Sequence, residues 1–528
     1  MEHNVEESKI PRTMSTQHPD NVNVPAWSNS EIIDGNAEIL EAYFAYETLG
    51  CQEVMWDAEG KDVDTRVVRK LLEKYQDFFR GHVIGKDVFL TYRIPNPRIE
   101  LAEKKVAVET LQNIPVAYDV AASFYQKDVT PIFEVILPFT TDSRELIWLF
   151  NYYRKTIAAD EEVMLDESTT AEDWVGAFKP KRIKVIPLVE DFASLISVDK
   201  IVTPYIDAVQ PKGLRVFIAR SDPALNYGLF CATLLSKIAL SKLKNLEKTK
   251  NVSIYPIIGV GSKPFRGHLS PENVENFLRE YRGLTTVTIQ SAFRYDYPIE
   301  QVKECVNLLN NRLPNGEPTN VEPIEESVLL GILQKCRKKY EGMIELLAPL
   351  VNSVAAYVPQ RRARKLHIGL FGYSRNVAGV NLPRAIPFSA ALYSLGIPPE
   401  FLGAEVLEDL SEQEWRITEK HYTNIEHDLG TVGAYISWEN INMLMENSQK
   451  IADIVGMSLE KLEIVLTKIQ DDLRVVEAKL DIKLGPKTPA QKRHENFANN
   501  FLIAYMERET DEAKKSLVEA AKLRRCLG

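Results

Sequence analysis

The sequence predicts an α/β protein built on a (β/α)8 barrel of the TIM type, followed by a mostly helical C-terminal region. Eight short apolar, β-branched runs alternate with segments of helical pattern up to residue 394, and charged residues follow several of these runs directly. Residues 400–528 contain helical patterns only. Alternating strands and helices predict a parallel sheet with helical crossovers, and eight such units favour a closed barrel. An open doubly wound sheet is the competing interpretation.

The eight runs are the candidate strands. In chain order they are CQEVMW (51–56), DVFLTYR (87–93), IFEVILP (132–138), KVIPLVE (184–190), LRVFIAR (214–220), SIYPIIG (253–259), TVTIQSA (286–292) and LHIGLFG (366–372). Between and after them, the 3.6-residue period of apolar side chains predicts helices at 62–80, 98–113, 142–158, 192–208, 223–245, 271–281, 299–357 and 383–394.

These elements divide the chain into three parts. Residues 1–50 are expected to form an N-terminal segment and a helix that pack onto the barrel, and residues 51–398 the catalytic barrel. Residues 399–528 are expected to form a helical region that completes the same domain and makes oligomer contacts. The last part contains apolar residues at alternating steps of three and four: Leu459, Leu462, Leu466, Ile469, Leu473, Val476 and Leu480. Such a seam packs against another helix, which is either a helix of the same chain or an oligomer contact.

Composition excludes several classes of protein. The chain has 528 residues, a net charge of -10 and 45% hydrophobic residues, which is typical of a globular protein and argues against nucleic acid as the main partner. No run reaches the roughly 18 apolar residues of a membrane span, and the polar start MEHNVEESKIPR does not resemble a signal peptide. The five cysteines are widely spaced without a CxxC motif, which predicts free thiols and a cytoplasmic protein.

Two carboxylates are expected at neighbouring strand ends. Glu190 ends the fourth predicted strand, and Asp222 follows the fifth. In a barrel these ends converge on the face that carries active sites. One or two carboxylates with water and substrate oxygens suit Mg²⁺, although either residue could instead pair with an arginine.

Basic residues are expected to gather at the same face. Arginines stand at the ends of the second and fifth strands, after the sixth, directly before the eighth and after it: Arg93, Arg220, Arg266, Arg361, Arg364 and Arg384. Forked guanidinium groups suit phosphate and carboxylate ligands, although part of the RRARK run is expected to be a solvated face. The residues alone thus predict a magnesium-dependent barrel enzyme that acts on a small phosphorylated carboxylate.

Four motifs resemble those of archaeal-type phosphoenolpyruvate carboxylase. They are MSTQHPDN (14–21), RSDPALNYG (220–228), FRGH (265–268) and LPRAIPF (382–388), and the similarity extends over essentially the whole chain. The resemblance implies carboxylation of phosphoenolpyruvate by bicarbonate to oxaloacetate and inorganic phosphate, through carboxyphosphate and a metal-stabilised enolate. It also implies a requirement for Mg²⁺ or Mn²⁺, a role in anaplerotic CO₂ fixation and a cytoplasmic homotetramer.

The resemblance assigns roles to single residues. His18 is similar to the family's catalytic histidine, and Glu190 and Asp222 to its two metal-binding carboxylates. Among the arginines, Arg266 resembles the last arginine of a glycine-rich loop, Arg384 the arginine of a shared RAIP motif, and Arg93, more loosely, an arginine that ends an early strand. Arg361 and Arg364 resemble the basic pair before the last strand. All of these arginines are expected to be catalytic.

Three further strand-end residues are candidates for substrate binding: Lys263, Arg220 and Gln290. The longer bacterial and plant enzymes have a histidine and an arginine where this chain has VGSKPF, so Lys263 is the candidate for that charge. The segment around His18 is expected to dock over the carboxyl-terminal mouth of the barrel. One alternative is another magnesium-dependent barrel lyase or aldolase, which would act on phosphoenolpyruvate or pyruvate without bicarbonate. A second is a barrel without catalytic activity that serves as a scaffold.

Overall fold

Eight parallel strands form a closed barrel in the computed structural model, which describes residues 9–60, 63–363, 376–377 and 379–528. In chain order the strands are β1 Thr13–Ser15, β2 Glu53–Asp57, β3 Phe89–Arg93, β4 Glu134–Leu137, β5 Lys184–Val189, β6 Gly213–Ala219, β7 Ser253–Gly259 and β8 Thr286–Ile289. A separate antiparallel pair is formed by β9 Asn376–Val377 and β10 Val380–Asn381.

Helices connect the strands and cover the barrel. They are α1 Asn36–Glu47, α2 Val67–Lys74, α3 Gln76–Gly81, α4 Lys104–Tyr125, α5 Ser143–Tyr152, α6 Ala171–Val175, α7 Phe192–Ile196, α8 Val198–Val209, α9 Ser221–Tyr227, α10 Leu229–Lys250, α11 Val274–Glu280, α12 Ser291–Tyr295, α13 Ile299–Arg312, α14 Pro323–Ala355 and α15 Ala385–Ser394. The described part of the chain contains no helix that is both long and apolar enough to cross a bilayer.

The C-terminal region consists of helices and short turns. Its helices are α16 Glu412–His421, α17 Ile425–Gly433, α18 Trp438–Glu446, α19 Ser448–Val455, α20 Leu459–Leu480, α21 Pro489–Met506 and α22 Thr510–Arg524. The predicted apolar seam lies on α20. Its members from Leu462 to Leu480 are all buried within the single chain, which confirms packing against helices of the same chain.

The barrel is closed by a strand that the sequence pattern did not reveal. Strand β1 lies between β2 and β8, with Met14 opposite Glu53 and Thr288. The expectation that the barrel begins at residue 51 is therefore wrong. The Thr-Met-Ser stretch is too short and polar to show an apolar run. The other seven observed strands were predicted, and the proposed strand at 366–372 lies outside the described residues.

The inside of the barrel is filled by side chains. One apolar cluster occupies its centre: Met14, Met55, Ile136, Ile186, Leu188, Phe217, Ala219 and Ile257. Near the amino-terminal ends of the strands, Arg215 donates to Glu53 at 2.6 and 2.8 Å and to Glu134 at 3.0 Å. Because three strands contribute to this fully buried ion group, it fixes their relative positions more than it adds net stability. The opposite, carboxyl-terminal end of the barrel is the end at which enzymes of this fold have their active sites.

One buried carboxyl gives a prediction about stability. Glu400, in the turn Pro399–Phe401, accepts hydrogen bonds through Oε1 from the Phe265 N–H at 3.0 Å and the Tyr393 hydroxyl at 2.8 Å. Its Oε2 is buried without a hydrogen-bond partner among the described residues. Burial raises the pKa of Glu400 from 4.5 to about 7, despite these hydrogen bonds. The folded state therefore favours the protonated form, and this contribution is lost as the pH rises through about 7.

Replacement of Glu400 by glutamine should remove that pH dependence. Glutamine keeps the accepting oxygen and cannot ionise. We expect the variant to match the parent near pH 4.5 and to exceed it at pH 8 by up to roughly 3 kcal/mol in free energy of unfolding. Denaturant unfolding across this pH range measures the difference. Parallel curves for the two proteins would show that Glu400 titrates normally.

Candidate active site

Acidic and basic side chains meet at the carboxyl-terminal end of the barrel. Asp57 is the last residue of β2, Arg93 the last of β3, and the two lie opposite each other in the parallel register. Glu190 directly follows β5, and Asp222 lies in the first turn of α9 after β6. The strand ends thus bring residues far apart in sequence to one face, as the sequence predicted.

An acidic pair holds Arg93. The Nε and Nη2 groups of Arg93 donate to the two oxygens of Asp57 at 2.8 and 2.6 Å, and Nε lies 3.3 Å from Glu59 Oε2. Burial raises the pKa of Glu59 to about 7; Arg93 opposes the shift and Asp57 adds to it. The Arg93 Nη1 group has no hydrogen-bond partner among the described residues, so one edge of the guanidinium remains for a ligand.

Neither acidic partner of Arg93 was among the predicted site residues. Asp57 ends a strand in the same way as Glu190 and could have been chosen by the same rule. Glu59 lies two residues beyond its strand in the WDAEG stretch. Only its burial, at 2% exposure, distinguishes it from an ordinary loop glutamate, and burial of one loop residue is not visible in a sequence.

Glu190 and Asp222 have the properties of a shared cation site. Burial raises the pKa of Glu190 well above its ordinary value, and the Asp222 charge and then the Glu59 charge raise it further. Glu190 Oε2 accepts the Phe139 N–H at 2.8 Å, from a backbone with φ 50°. Two close carboxylates, one buried and one half-buried, repel each other unless a cation lies between them. Their oxygen donors fit a hard divalent ion such as Mg²⁺.

Arg384 interacts electrostatically with Asp222 and with the two acidic partners of Arg93. It caps the amino end of α15 and is half-buried. Burial lowers the pKa of its guanidinium, whereas Glu59, Asp222 and then Asp57 oppose that shift. The Arg384 guanidinium therefore lies close enough to Glu59, Asp222 and Asp57 to interact with their charges. This places it at the mouth of the barrel, as expected from the sequence.

Arg266 is buried in a network that joins three distant parts of the chain. Its Nη1 donates to Asp20 at 2.9 Å and to the Gly528 carbonyl at 2.7 Å, its Nε donates to Ser221 at 3.3 Å, and its Nη2 donates to Gln290. Arg266 and Gln290 are thus hydrogen-bonded to each other inside the protein. Both side chains are less than 4% exposed, and the guanidinium nitrogens of Arg266 all donate inside the protein, which leaves little room for direct substrate contact.

Arg220 also faces the protein. Its three nitrogens donate to Tyr281, Phe265, Pro264 and Thr233, at distances between 2.7 and 3.3 Å. These bonds hold the 3₁₀ turn Pro264–Arg266. The substrate-binding role expected for Arg220 is therefore not supported either, because its guanidinium nitrogens all donate to groups inside the protein.

Arg361 anchors the N-terminal segment. Its Nη2 and Nε donate to the carbonyls of Val22 and Asn21, at 2.8 and 3.3 Å, and Nη1 pairs with Glu31 at 3.0 Å. These contacts support a positioning role in place of the expected catalytic one. The companion prediction, Arg364, lies outside the described residues.

Lys263 is a buried lysine without an ion-pair partner in the described part of the chain. It is 8% exposed, and its Nζ lies 5.1 Å from the centre of the Tyr435 ring. The Tyr435 ring and the charges of nearby acidic groups, among them Glu272 and Glu400, stabilise this ammonium group. This environment is compatible with the expected role in binding substrate.

The segment that follows β1 lies across the carboxyl-terminal end. The Thr16 N–H donates to Ile289 O at 3.1 Å, and the Asp57 N–H donates to Gln17 Oε1 at 3.1 Å. His18 is half-buried; its Nδ1 lies 2.9 Å from Thr16 Oγ1, and its carbonyl accepts the Ser291 hydroxyl. His18 therefore stands at the end of a barrel strand and not on a frayed tail.

Comparison with known proteins gives one consistent result. A family model described as phosphoenolpyruvate carboxylase matches residues 10–528. The phosphoenolpyruvate carboxylase of Metallosphaera sedula is 45% identical over 519 residues, and that of Caldivirga maquilingensis is 46% identical over 519 residues; each alignment covers 98% of this chain and 99% of the relative. The phosphoenolpyruvate carboxylase of Picrophilus torridus is 44% identical over 522 residues, with the same coverage.

Proposed function

The chain belongs to the phosphoenolpyruvate carboxylase family and is a carboxy-lyase that forms oxaloacetate from phosphoenolpyruvate, and we propose that the charged mouth of its barrel performs this reaction. The observation that carries the assignment is the convergence of Glu190, Asp222, Arg93 and Arg384 at the strand ends. Such a site can hold a cation and a trianionic substrate together, which is what the reaction requires.

Glu190 and Asp222 are proposed to hold the divalent ion that this family uses, Mg²⁺ or Mn²⁺. When bound, the ion supplies positive charge to the phosphate and enol oxygens of the substrate. The raised pKa of Glu190, which burial and Asp222 cause, supports this proposal because a cation relieves both effects.

The proposed chemistry has two stages. A bicarbonate oxygen attacks phosphorus, and the bond from phosphorus to the enol oxygen breaks, which gives carboxyphosphate and the enolate of pyruvate. Carboxyphosphate then loses its proton and divides into phosphate and CO₂, and the enolate carbon attacks that CO₂ to form oxaloacetate. Arg384 and the unpaired edge of Arg93 are proposed to bind the phosphate and carboxylate groups, which is electrostatic stabilisation in a water-poor site.

The remaining predicted residues are given roles according to their contacts. Lys263 is proposed as an anion-binding group, because its charge is buried and unpaired. Arg266, Arg361, Arg220 and Gln290 are proposed to position the mouth rather than to touch the substrate, because their hydrogen bonds are made to groups inside the protein. For Arg364 the catalytic proposal rests on sequence resemblance alone.

A coupled assay tests the proposed function. Protein, phosphoenolpyruvate, Mg²⁺ and bicarbonate are mixed, and oxaloacetate is followed by its enzymatic reduction with NADH. We expect oxaloacetate and phosphate in equal amounts, with no product when either bicarbonate or the divalent ion is omitted. Product formation that does not need bicarbonate would contradict the proposal and favour an aldolase-type reaction.

His18 is proposed as the base that takes the proton from carboxyphosphate, and replacement by asparagine tests this role. Asparagine keeps a polar side chain but cannot accept the proton. Oxaloacetate formation should fall by about 100-fold or more, while slow, bicarbonate-dependent release of phosphate continues. The carbon product should be pyruvate, because the enolate is protonated when CO₂ does not form in time. A wild-type yield of oxaloacetate would remove His18 from the mechanism.

The protein is proposed to be a cytoplasmic homotetramer. An apolar surface supports an oligomer contact: around α5 and α6, the exposed side chains are Trp148, Val163, Met164, Leu165, Trp174 and Val175. Several large apolar side chains exposed in one part of the chain are typical of an interface. Five free cysteines support a reducing compartment. Light scattering measures the assembly, and Trp174→Glu should weaken it if this surface is the contact.

A further inference from the structure

A group of metal-binding side chains lies away from the strand-end carboxylates. His268 belongs to the loop after β7, and His427 and Asp428 are neighbours in the first turns of α17. One nitrogen of each imidazole and one carboxylate oxygen all lie within 4.8 Å of one another. The proposed magnesium ligands, by contrast, follow β5 and β6, so the two groups share no residue.

The backbone holds His268 in an uncommon conformation. Its φ is 63°, in the left-handed region that residues with a Cβ rarely adopt. The conformation is fixed by two hydrogen bonds, from the His268 N–H to Lys263 O at 3.0 Å and from Asn273 Nδ2 to His268 O at 2.8 Å. As a result, the imidazole Nδ1 lies 2.5 Å from Asp428 Oδ1. Residues that the surrounding structure holds in strained conformations are often found at functional sites.

The other groups around the cluster orient its ligands. The Tyr422 hydroxyl donates to Asp428 Oδ2 at 2.8 Å. His427 Nε2 lies 2.8 Å from Asn273 Oδ1 and 3.1 Å from Asn276 Nδ2, and the two imidazole rings stack with centres 5.6 Å apart. Metal sites commonly have such a surrounding layer, in which hydrogen bonds fix the ligand rings and carboxylates.

We propose that His268, His427 and Asp428 bind a zinc ion. Two imidazoles and one carboxylate, with water in the fourth position, are a donor set that suits Zn²⁺, whereas Mg²⁺ prefers oxygen ligands. His268 and Asp428 are buried, and His427 is exposed. One side of the site is therefore shielded from water, and the other is open for a zinc ion to enter. The ion would join the loop that carries Arg266 to α17, and zinc would replace the proton shared by His268 and Asp428.

Metal titration of the whole chain tests the proposal. After removal of bound ions by a chelator, Zn²⁺ is titrated calorimetrically in excess Mg²⁺, which occupies the oxygen-ligand site. We expect one zinc ion per chain and a Tm that rises with zinc concentration. His427→Asn should weaken binding by about 100-fold or more and abolish the Tm response. His427 is a surface residue, so this variant is expected to fold.

A matched control and a second probe complete the test. His82→Asn removes another exposed histidine and should leave zinc binding unchanged. Co²⁺ should give the visible absorption of a four-coordinate site in the parent protein and not in His427→Asn. Equal zinc affinity in the parent and His427→Asn, or no magnesium-resistant binding in the parent, would overturn the proposal and leave the cluster as a hydrogen-bonded clamp. No carboxylation assay enters this test, so its outcome is independent of the proposed mechanism.

Discussion

Carboxylation should fall by roughly three orders of magnitude, equivalent to about 4 kcal/mol in the activation barrier, when Glu190 is replaced by glutamine. Glutamine preserves the shape of the side chain and can still accept the Phe139 N–H, but it removes an anionic ligand. Burial and Asp222 raise the pKa of Glu190, so the folded protein loses little stability, or gains some, when this charge is removed. The expected pattern is therefore a stable protein that is almost inactive.

Asp191 provides a matched control beside Glu190. Its side chain caps α7 by accepting the Ser194 N–H at 3.0 Å. Asp191→Asn should cost about 1 kcal/mol or less of stability and leave turnover nearly intact. Steady-state rates over a range of Mg²⁺ concentrations, with unfolding curves for both variants, separate the two cases. Near-normal turnover of Glu190→Gln at saturating Mg²⁺ would contradict the assignment of the cation site.

Deletion of residues 1–15 should prevent the protein from folding. The deletion removes β1, so β2 and β8 each lose a hydrogen-bonded neighbour and the barrel cannot close. Open parallel edges promote association of chains. We expect aggregation, or a chain without cooperative unfolding, as measured by scanning calorimetry and light scattering. Deletion of residues 1–8 removes none of the described contacts and is the control.

A point substitution gives a graded version of this result. Met14 is fully buried in the apolar cluster at the barrel centre. Met14→Ala should destabilise the protein by about 2–5 kcal/mol. A folded, active protein after removal of residues 1–15 would show that the barrel does not depend on β1.

Sequence patterns predicted the barrel where strands are long and apolar, as in β6 and β7. The same patterns missed β1, because only Met14 of its three residues is apolar. The expectation that charged residues directly after strands face the active site named Glu190, Asp222 and Arg384 as candidates, and it could have included Asp57. It could not show which of the predicted arginines have their guanidinium groups paired inside the protein. Arg266 looks like the other arginines near strand ends, yet it is paired with Asp20 and Gly528, which lie 246 and 262 positions away.

The pairing of β1 with β8 also affects how the protein is synthesised. Thr13 leaves the ribosome early, but its partner Val287 follows 274 residues later, which takes roughly 14–55 s at about 5–20 residues per second. Throughout that interval the nascent chain carries a barrel strand whose second neighbour has not been made. Thr13 and Ser15 keep most of this waiting strand polar. We therefore expect the polar residues that hide β1 from hydrophobic analysis also to reduce association of this strand before β8 is made.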